Sequence, residues 1–275
     1  MDIDTVTFKE TLRTQGIDLV GIADARDLIL GYPPRPATDL MPAARSVVVM
    51  GVAHSLGAVC APGIHLWTRN KMQTSRLLDQ VAESTARELE RQGFLSLPIS
   101  ADKPADIYKR DPENNRKLPH TRTAGQLSLK HAAVSAGLGE IGLSNLVITP
   151  EFGPHQRLGA VVTEARLEPD SPREPGLCTR CEACRRACPV GAFQAGSHDV
   201  DPCFNYWSLG LERMRPGRLR EVPGFLRMLL EHAKHRDIFI EAGQTYITDV
   251  DYCIECMRAC PAGERWEDIR PQTKA

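Results

Sequence analysis

The chain has 275 residues, with 34 basic and 35 acidic side chains and a formal net charge of −1. That length supports one large domain or two modest ones with a real core, and the balanced charge favours neither nucleic acid nor an anionic membrane as a partner. The opening residues MDIDTVTFKE lack the basic and apolar regions of a signal peptide, and no run of about eighteen apolar residues occurs. A spanning helix is therefore excluded, no membrane association is expected, and a reducing cytoplasm is the expected setting.

Val6, Phe8 and Leu12 among polar neighbours predict an amphipathic helix over 4–15, stopped by Gly16. Ile17 to Ala23 (IDLVGIA) reads as a short buried strand, and the proline-rich 31–43 as an irregular connection. Val47 to Ala53 (VVVMGVA) is β-branched and apolar throughout, the pattern of a central strand. His54 at its end reads as a satisfied structural residue. From about Arg69 to Gln92, Leu77, Leu78, Val81, Ala82, Ala86 and Leu89 form the apolar stripe of a helix, and Gly93 stops it. Phe94 to Ser100 gives a third strand, and 101–125 reads as a solvated, basic, proline-containing loop.

Leu127 to Ala136 predicts another helix, running into AGLGEIGLSNLVITPEFGP. Gly137, Gly139 and Gly142 have the G-x-G-x-x-G spacing of dinucleotide-binding loops. That fingerprint follows a strand and opens a helix, whereas here the glycines follow a helix and precede a strand, so NAD binding is rejected. Leu146 to Thr149 and Leu158 to Thr163 read as two further strands. The proline-rich 168–176 reads as a linker, placing a domain boundary near 170: an α/β domain over 1–170 and a second domain over 171–275. Within the second, Arg213, Arg215, Arg218 and Arg220 precede a predicted helix around Phe225 to Lys234.

The second domain carries the chemistry. Cys178, Cys181, Cys184, Cys188 and Pro189 spell C-x2-C-x2-C-x3-C-P, the spacing with which bacterial-type ferredoxins hold iron–sulfur clusters. In two-cluster proteins the fourth cysteine serves the other cluster, which demands a second motif. Cys253, Cys256, Cys260 and Pro261 supply one, lacking its first member, which would fall at Val250. Two [4Fe–4S] clusters need about eight thiolates, and the motifs give seven of the nine cysteines. Cys203, between the motifs, completes the set. Cys178, Cys181, Cys184 and Cys260 are assigned to one cluster, and Cys188, Cys203, Cys253 and Cys256 to the other. Cys60, far upstream, reads as a small buried apolar residue. Zinc and disulfides fit less well, because zinc sites use paired C-x2-C motifs without two Cys-Pro endings, and no secretory context is visible.

The block KHAAVSAGLGEIGLSNLVITPEFGPHQRLGAVVTEARLEPD, followed directly by the two-cluster cysteine pattern, resembles epoxyqueuosine reductases and the related corrinoid-dependent reductive dehalogenases. Cys203 in DPCFNY sits where those reductases carry an isolated cluster ligand. The resemblance implies a nitroreductase-like, cobalamin-binding-type α/β domain followed by a dicluster ferredoxin-like domain. It implies that electrons pass between the clusters to reduce cobalt for chemistry on a small molecule. It places cobalamin against 128–157, with Ser128, Gly137, Gly139, Gly142, Ser144 and Thr149 as binding residues and His131, Glu140 and Arg157 as catalytic ones. A ferredoxin or flavodoxin is the expected electron donor, and no stable nucleic-acid binding is expected. Epoxyqueuosine reductases carry an aspartate upstream of A-G-L-G, a place that falls near Thr123 here, where this chain lacks that acid. The other readings are a non-catalytic electron-transfer or corrinoid-activating protein and an epoxyqueuosine reductase-like tRNA-modifying enzyme.

Overall fold

Val47 to Val52 are buried at every position because both faces of their strand are covered. The computed structural model describes residues 3–30, 35–61, 64–101, 127–194, 197–198, 203 and 253–267. In it the chain begins with helix α1 (Thr5–Thr14), whose N-terminal amides of Val6 and Thr7 are capped by the Asp4 carboxylate. Strand β1 (Leu19–Asp24) follows. The 31–43 stretch, expected to be irregular, contributes strand β3 (Arg35–Pro36), paired with β2 (Leu28–Leu30), and one 3-10 turn. Then come β4 (Ser46–Ala53), the short α2 (Leu56–Cys60), the long α3 (Ile64–Arg91) and β5 (Ser96–Ile99). Helix α4 (Leu129–Ser135) leads through the two-stranded β6 (Glu140–Ile141) and β7 (Val147–Ile148) into β8 (Gln156–Thr163).

The main sheet has four strands in the order β1-β4-β8-β5, each pair antiparallel. Because strand side chains alternate, β4 and β8 feed two cores at once. Val47, Val49, Ala160 and Val162 point to one face, where Ala132, Ala133 and Ala136 of α4 pack on them. Val48, Met50 and Val161 point to the other, against Leu78, Val81, Ala82, Ala86 and Leu89 of α3. The result is a helix–sheet–helix sandwich, a mixed α/β fold. Small residues on α4 let it lie close. A Cβ on Gly21 of β1 would come within 2.4 Å of the Ala136 carbonyl oxygen.

Beyond β8 the chain stays against the sheet. Leu167 is buried, and the Asp170 carboxylate takes the Lys9 ammonium at 2.6 Å and the Ile22 amide at 2.7 Å. The cysteine-rich part then supplies α5 (Ala183–Ala187), the pair β9 (Phe193–Gln194) and β10 (Ser197–His198), α6 (Glu255–Arg258) and α7 (Glu264–Glu267). Residues 102–125 of the predicted basic loop, the arginines of 213–220, the predicted helix at 225–234 and Val250 lie outside the described residues. Among the described residues no helix is long and apolar enough to cross a membrane.

Candidate iron–sulfur site

The loop carrying the first three cysteines turns back on itself through two residues in the left-handed region, Arg180 (φ 53°) and Glu182 (φ 60°), on either side of Cys181. For non-glycine residues that conformation costs on the order of 1–2 kcal/mol each. It turns the chain so that Cys178, Cys181 and Cys184 share one neighbourhood. Burial raises the Cys184 thiol's pKa, and the nearby Cys178 and Cys181 sulfurs add to the shift. Cys260 arrives from the end of the second motif. Its thiol is raised by burial and then by Cys184, Cys181 and Cys178.

Helix α6 packs against α5 and builds a second neighbourhood. There burial pushes the Cys256 thiol up to about 12, with Cys253, Cys203, Cys188 and Cys184 contributing in that order. Cys253 is raised by burial, and the charges of Glu255 and Cys188 act in the same direction. Cys178, Cys181 and Cys184 thus act on Cys260, while Cys253, Cys203, Cys188 and Cys184 act on Cys256. Such thiols resist ionisation until an electropositive centre takes them as thiolates. Among the described residues no three Cys, His, Asp or Glu side chains meet tightly enough to hold a single metal ion.

Backbone amides point at the sulfurs: Leu143 N–H donates to Cys178 Sγ at 3.4 Å and Ala192 N–H to Cys188 Sγ at 3.3 Å. The first set opens on a cavity of about 470 Å³ between Cys178, Cys181, Cys184 and Cys260 on one side and Leu143, Ser144, Ile148 and Thr149 on the other. Two of the residues expected to bind a cofactor, Ser144 and Thr149, thus face the cysteines across one space. Thr149 is fully buried, and its hydroxyl accepts the Phe152 amide of the following turn at 3.3 Å.

The other expected residues stand elsewhere. Gly137, Gly139 and Gly142 do not offer an open backbone face to a flat macrocycle in the direction a side chain would take. A Cβ there would meet the Ser171 carbonyl oxygen at 2.5 Å, the Ile148 carbonyl oxygen at 2.1 Å and the Ile148 Cδ1 at 2.4 Å, respectively. They serve the close packing of the β6–β7 hairpin and the cysteine loop. Glu140, expected to be catalytic, has both oxygens on backbone: Gly176 N at 2.8 Å and Cys178 N at 2.5 Å. Arg157 lies on β8 and donates to Ser75 Oγ of α3 at 3.2 Å, away from the cavity. Ser128 and His131 bond each other at the start of α4, Oγ to Nδ1 at 2.7 Å. The described residues therefore do not gather the expected set into one corrinoid surface.

Several contacts that hold the site were not read from the sequence. Gly153 and Gly263 meet backbone to backbone, so that a Cβ on Gly263 would lie 2.4 Å from Gly153 N. Glu264 and Arg265 donate their amides to the carbonyls of Pro150 and Glu151 at 3.0 and 3.1 Å. His155 sits with Nδ1 at 2.9 Å from the Phe152 carbonyl oxygen and Nε2 at 3.1 Å from that of Met257, its ring against Trp266. Arg258 reaches the carbonyls of Val59 and Ala61, both at 2.7 Å, on either side of Cys60. None of these carries a motif. A glycine in each of two distant turns is the nearest thing to a signal.

The fold is mixed α/β, and the cysteine motifs are those of an iron–sulfur protein. Residues 172–194 match the family model described as 4Fe-4S binding domain. A tetrachloroethene reductive dehalogenase of Desulfitobacterium hafniense is 48% identical over 73 residues, 26% of this chain and 13% of the dehalogenase. An epoxyqueuosine reductase of Listeria monocytogenes is 39% identical over 97 residues, 33% of this chain and 25% of the relative. The matches thus span a quarter or less of those relatives' own length. In three dimensions the chain resembles epoxyqueuosine reductase from Streptococcus thermophilus with a TM-score of 0.56 at 17% identity, over 93% of this chain and 65% of that one. It also resembles a reductive dehalogenase described with a mechanism for B12-dependent dehalogenation, with a TM-score of 0.52 at 20% identity, over 72% and 29%. The chain is related to both groups, as its motifs imply, and it shares their fold.

Proposed function

We propose that this protein is an iron–sulfur reductase that passes single electrons through two [4Fe–4S] clusters into the cavity between the first cysteine set and residues 143–149, for reductive chemistry on a small molecule. The observation that carries the reading is the shared cavity, with four cysteines on one wall and the buried Ser144 and Thr149 on the other. Cys178, Cys181, Cys184 and Cys260 hold one cluster and Cys188, Cys203, Cys253 and Cys256 the other. When bound, the clusters supply reversible one-electron transfer. The amides of Leu143 and Ala192 favour the more negative reduced state by donating to ligand sulfurs. A reduced ferredoxin or flavodoxin is the donor.

Cobalamin enters this reading through the relatives, one of which is described with B12-dependent chemistry. Ser144 and Thr149, which line the cavity shared with the cysteines, would contact such a cofactor. The nitroreductase-like description of residues 1–170 and the ferredoxin-like one of 171–275 belong to the same proposal. A second reading, modification of a tRNA, is favoured by the epoxyqueuosine reductase among the relatives. Anaerobic reconstitution with iron, sulfide and cobalamin tests the whole. About eight irons per chain are expected, together with two reducible centres. Bound cobalamin in equal amount supports the corrinoid branch, and its absence directs the cavity to the substrate itself. Uptake of zinc in preference to iron would overturn the proposal.

A further inference from the structure

The three residues that approach Cys178 from the α/β side come from one four-residue stretch, 140–143. Glu140 spreads its two oxygens over two amides of the incoming loop, Gly176 N at 2.8 Å and Cys178 N at 2.5 Å. Both oxygens being used, the carboxylate fixes where the loop leaves the hairpin and hence where the first thiol starts. Leu143 N–H reaches the sulfur itself at 3.4 Å. Gly142 lies beside the same sulfur: a Cβ there would stand in ordinary contact with Cys178 Sγ, at 3.6 Å. Glu140 does not line the cavity, whereas Gly176 and Cys178, whose amides it holds, do.

We infer that Glu140 is the positioning residue of the first cysteine set: it anchors Cys178, and its negative charge makes the cluster held there harder to reduce. The inference rests on the proposed two-cluster reading. The sign follows from charge alone. Reduction adds one electron to the cluster, and a carboxylate bonded to the backbone amide of a ligand cysteine disfavours the added charge. The Leu143 amide acts in the opposite sense, so a single short stretch carries two opposing influences on one ligand.

The test is a dithionite titration of the anaerobically reconstituted full chain, followed by electron paramagnetic resonance, on the parent, Glu140→Gln and Glu140→Asp. Glutamine keeps the length and one acceptor but removes the charge. It is expected to hold the parent's iron while the reduced-to-oxidised ratio of one cluster at fixed ambient potential rises about tenfold, or about 59 mV for a one-electron couple. The other cluster stays where it was, and Glu140→Asp, which keeps the charge, stays near the parent. Full iron with both clusters at parental potentials in Glu140→Gln would overturn the inference. Should Glu140→Gln lose iron, recovery of that iron in Glu140→Asp supports the anchoring role, and equal loss in the two variants overturns it. A parent that takes up no cluster shows itself before any variant is made and overturns the two-cluster reading along with the inference.

Discussion

Cys203 and Cys60 both lie outside the two Cys-Pro motifs, yet their surroundings differ. Cys203 acts electrostatically on the Cys256 thiol, whereas Cys60 ends α2 beside an apolar cluster that includes Val59 and Trp67. Cys203→Ala is expected to lower bound iron by up to about one cluster's worth, from about eight toward four per chain, while Cys60→Ala leaves it unchanged. Iron analysis after anaerobic reconstitution decides, and loss at Cys60 instead would overturn the ligand assignment. His54 makes a prediction of another kind. Burial, and then the Arg157 charge, hold its imidazole down to about 4 from its ordinary 6.5. As pH falls through 6.5 the unfolded chain takes up a proton here and the folded one does not until about 4. Its contribution is therefore complete above pH 6.5 and is lost between 6.5 and 4. Between pH 7 and pH 5 the parent should lose about 2 kcal/mol more stability than His54→Gln. Anaerobic thermal unfolding at the two pH values measures this, and parallel losses would refute it.

At the scale of elements, the short distances are between backbone and backbone. The family resemblance implies that glycines 137 and 139 face a macrocycle, and Gly139→Val sets that reading against the packing seen here. With the Ile148 carbonyl oxygen 2.1 Å from where a Cβ would stand, that change instead forces β6 from β7. It should cost stability of the order of an overpacked core, about 1–3 kcal/mol or more. Loss of soluble protein or a lowered melting temperature is the expected readout. Gly21→Ala tests the sandwich in the same way, because its Cβ would press on the Ala136 carbonyl oxygen and push α4 off β1. A melting temperature equal to the parent's would mean that α4 does not lie where the structure puts it.

Over the whole molecule, the α/β part and the cysteine-rich part are joined by a backbone contact at Gly153 and Gly263, by the His155 bridge to Met257, and by Arg258 on the carbonyls of Val59 and Ala61 at the end of α2. Gly263 has φ 110°, and a Cβ there would collide with Gly153 N. Gly263→Ala should therefore loosen the joint, lowering the thermal midpoint and speeding the loss of iron from the set containing Cys260 without abolishing reconstitution. An unchanged rate of iron release to a chelator would argue that the joint does not hold the cysteine set. With a net charge of −1, RNA binding is expected to be weak and salt-sensitive. Tight, tRNA-selective retention in filter binding at near-physiological salt would make the tRNA-modifying reading the leading one.

Local pattern by itself determined a good deal of this protein. The doubly apolar β4, the stripe of α3 and the alanines of α4 follow from side-chain periodicity, which the chain carries in its order alone. So does the nearness of Cys178, Cys181 and Cys184, because C-x2-C-x2-C brings three thiols to one turn whatever lies around it. Tertiary structure decided the rest. Whether Gly139 faces a ligand or a carbonyl, and whether Glu140 is free to act or spent on two amides, depends on which distant backbone lies opposite. Gly176 and Cys178 are 36 and 38 residues from Glu140 along the chain, and nothing in the intervening sequence announces that their amides point at its carboxylate.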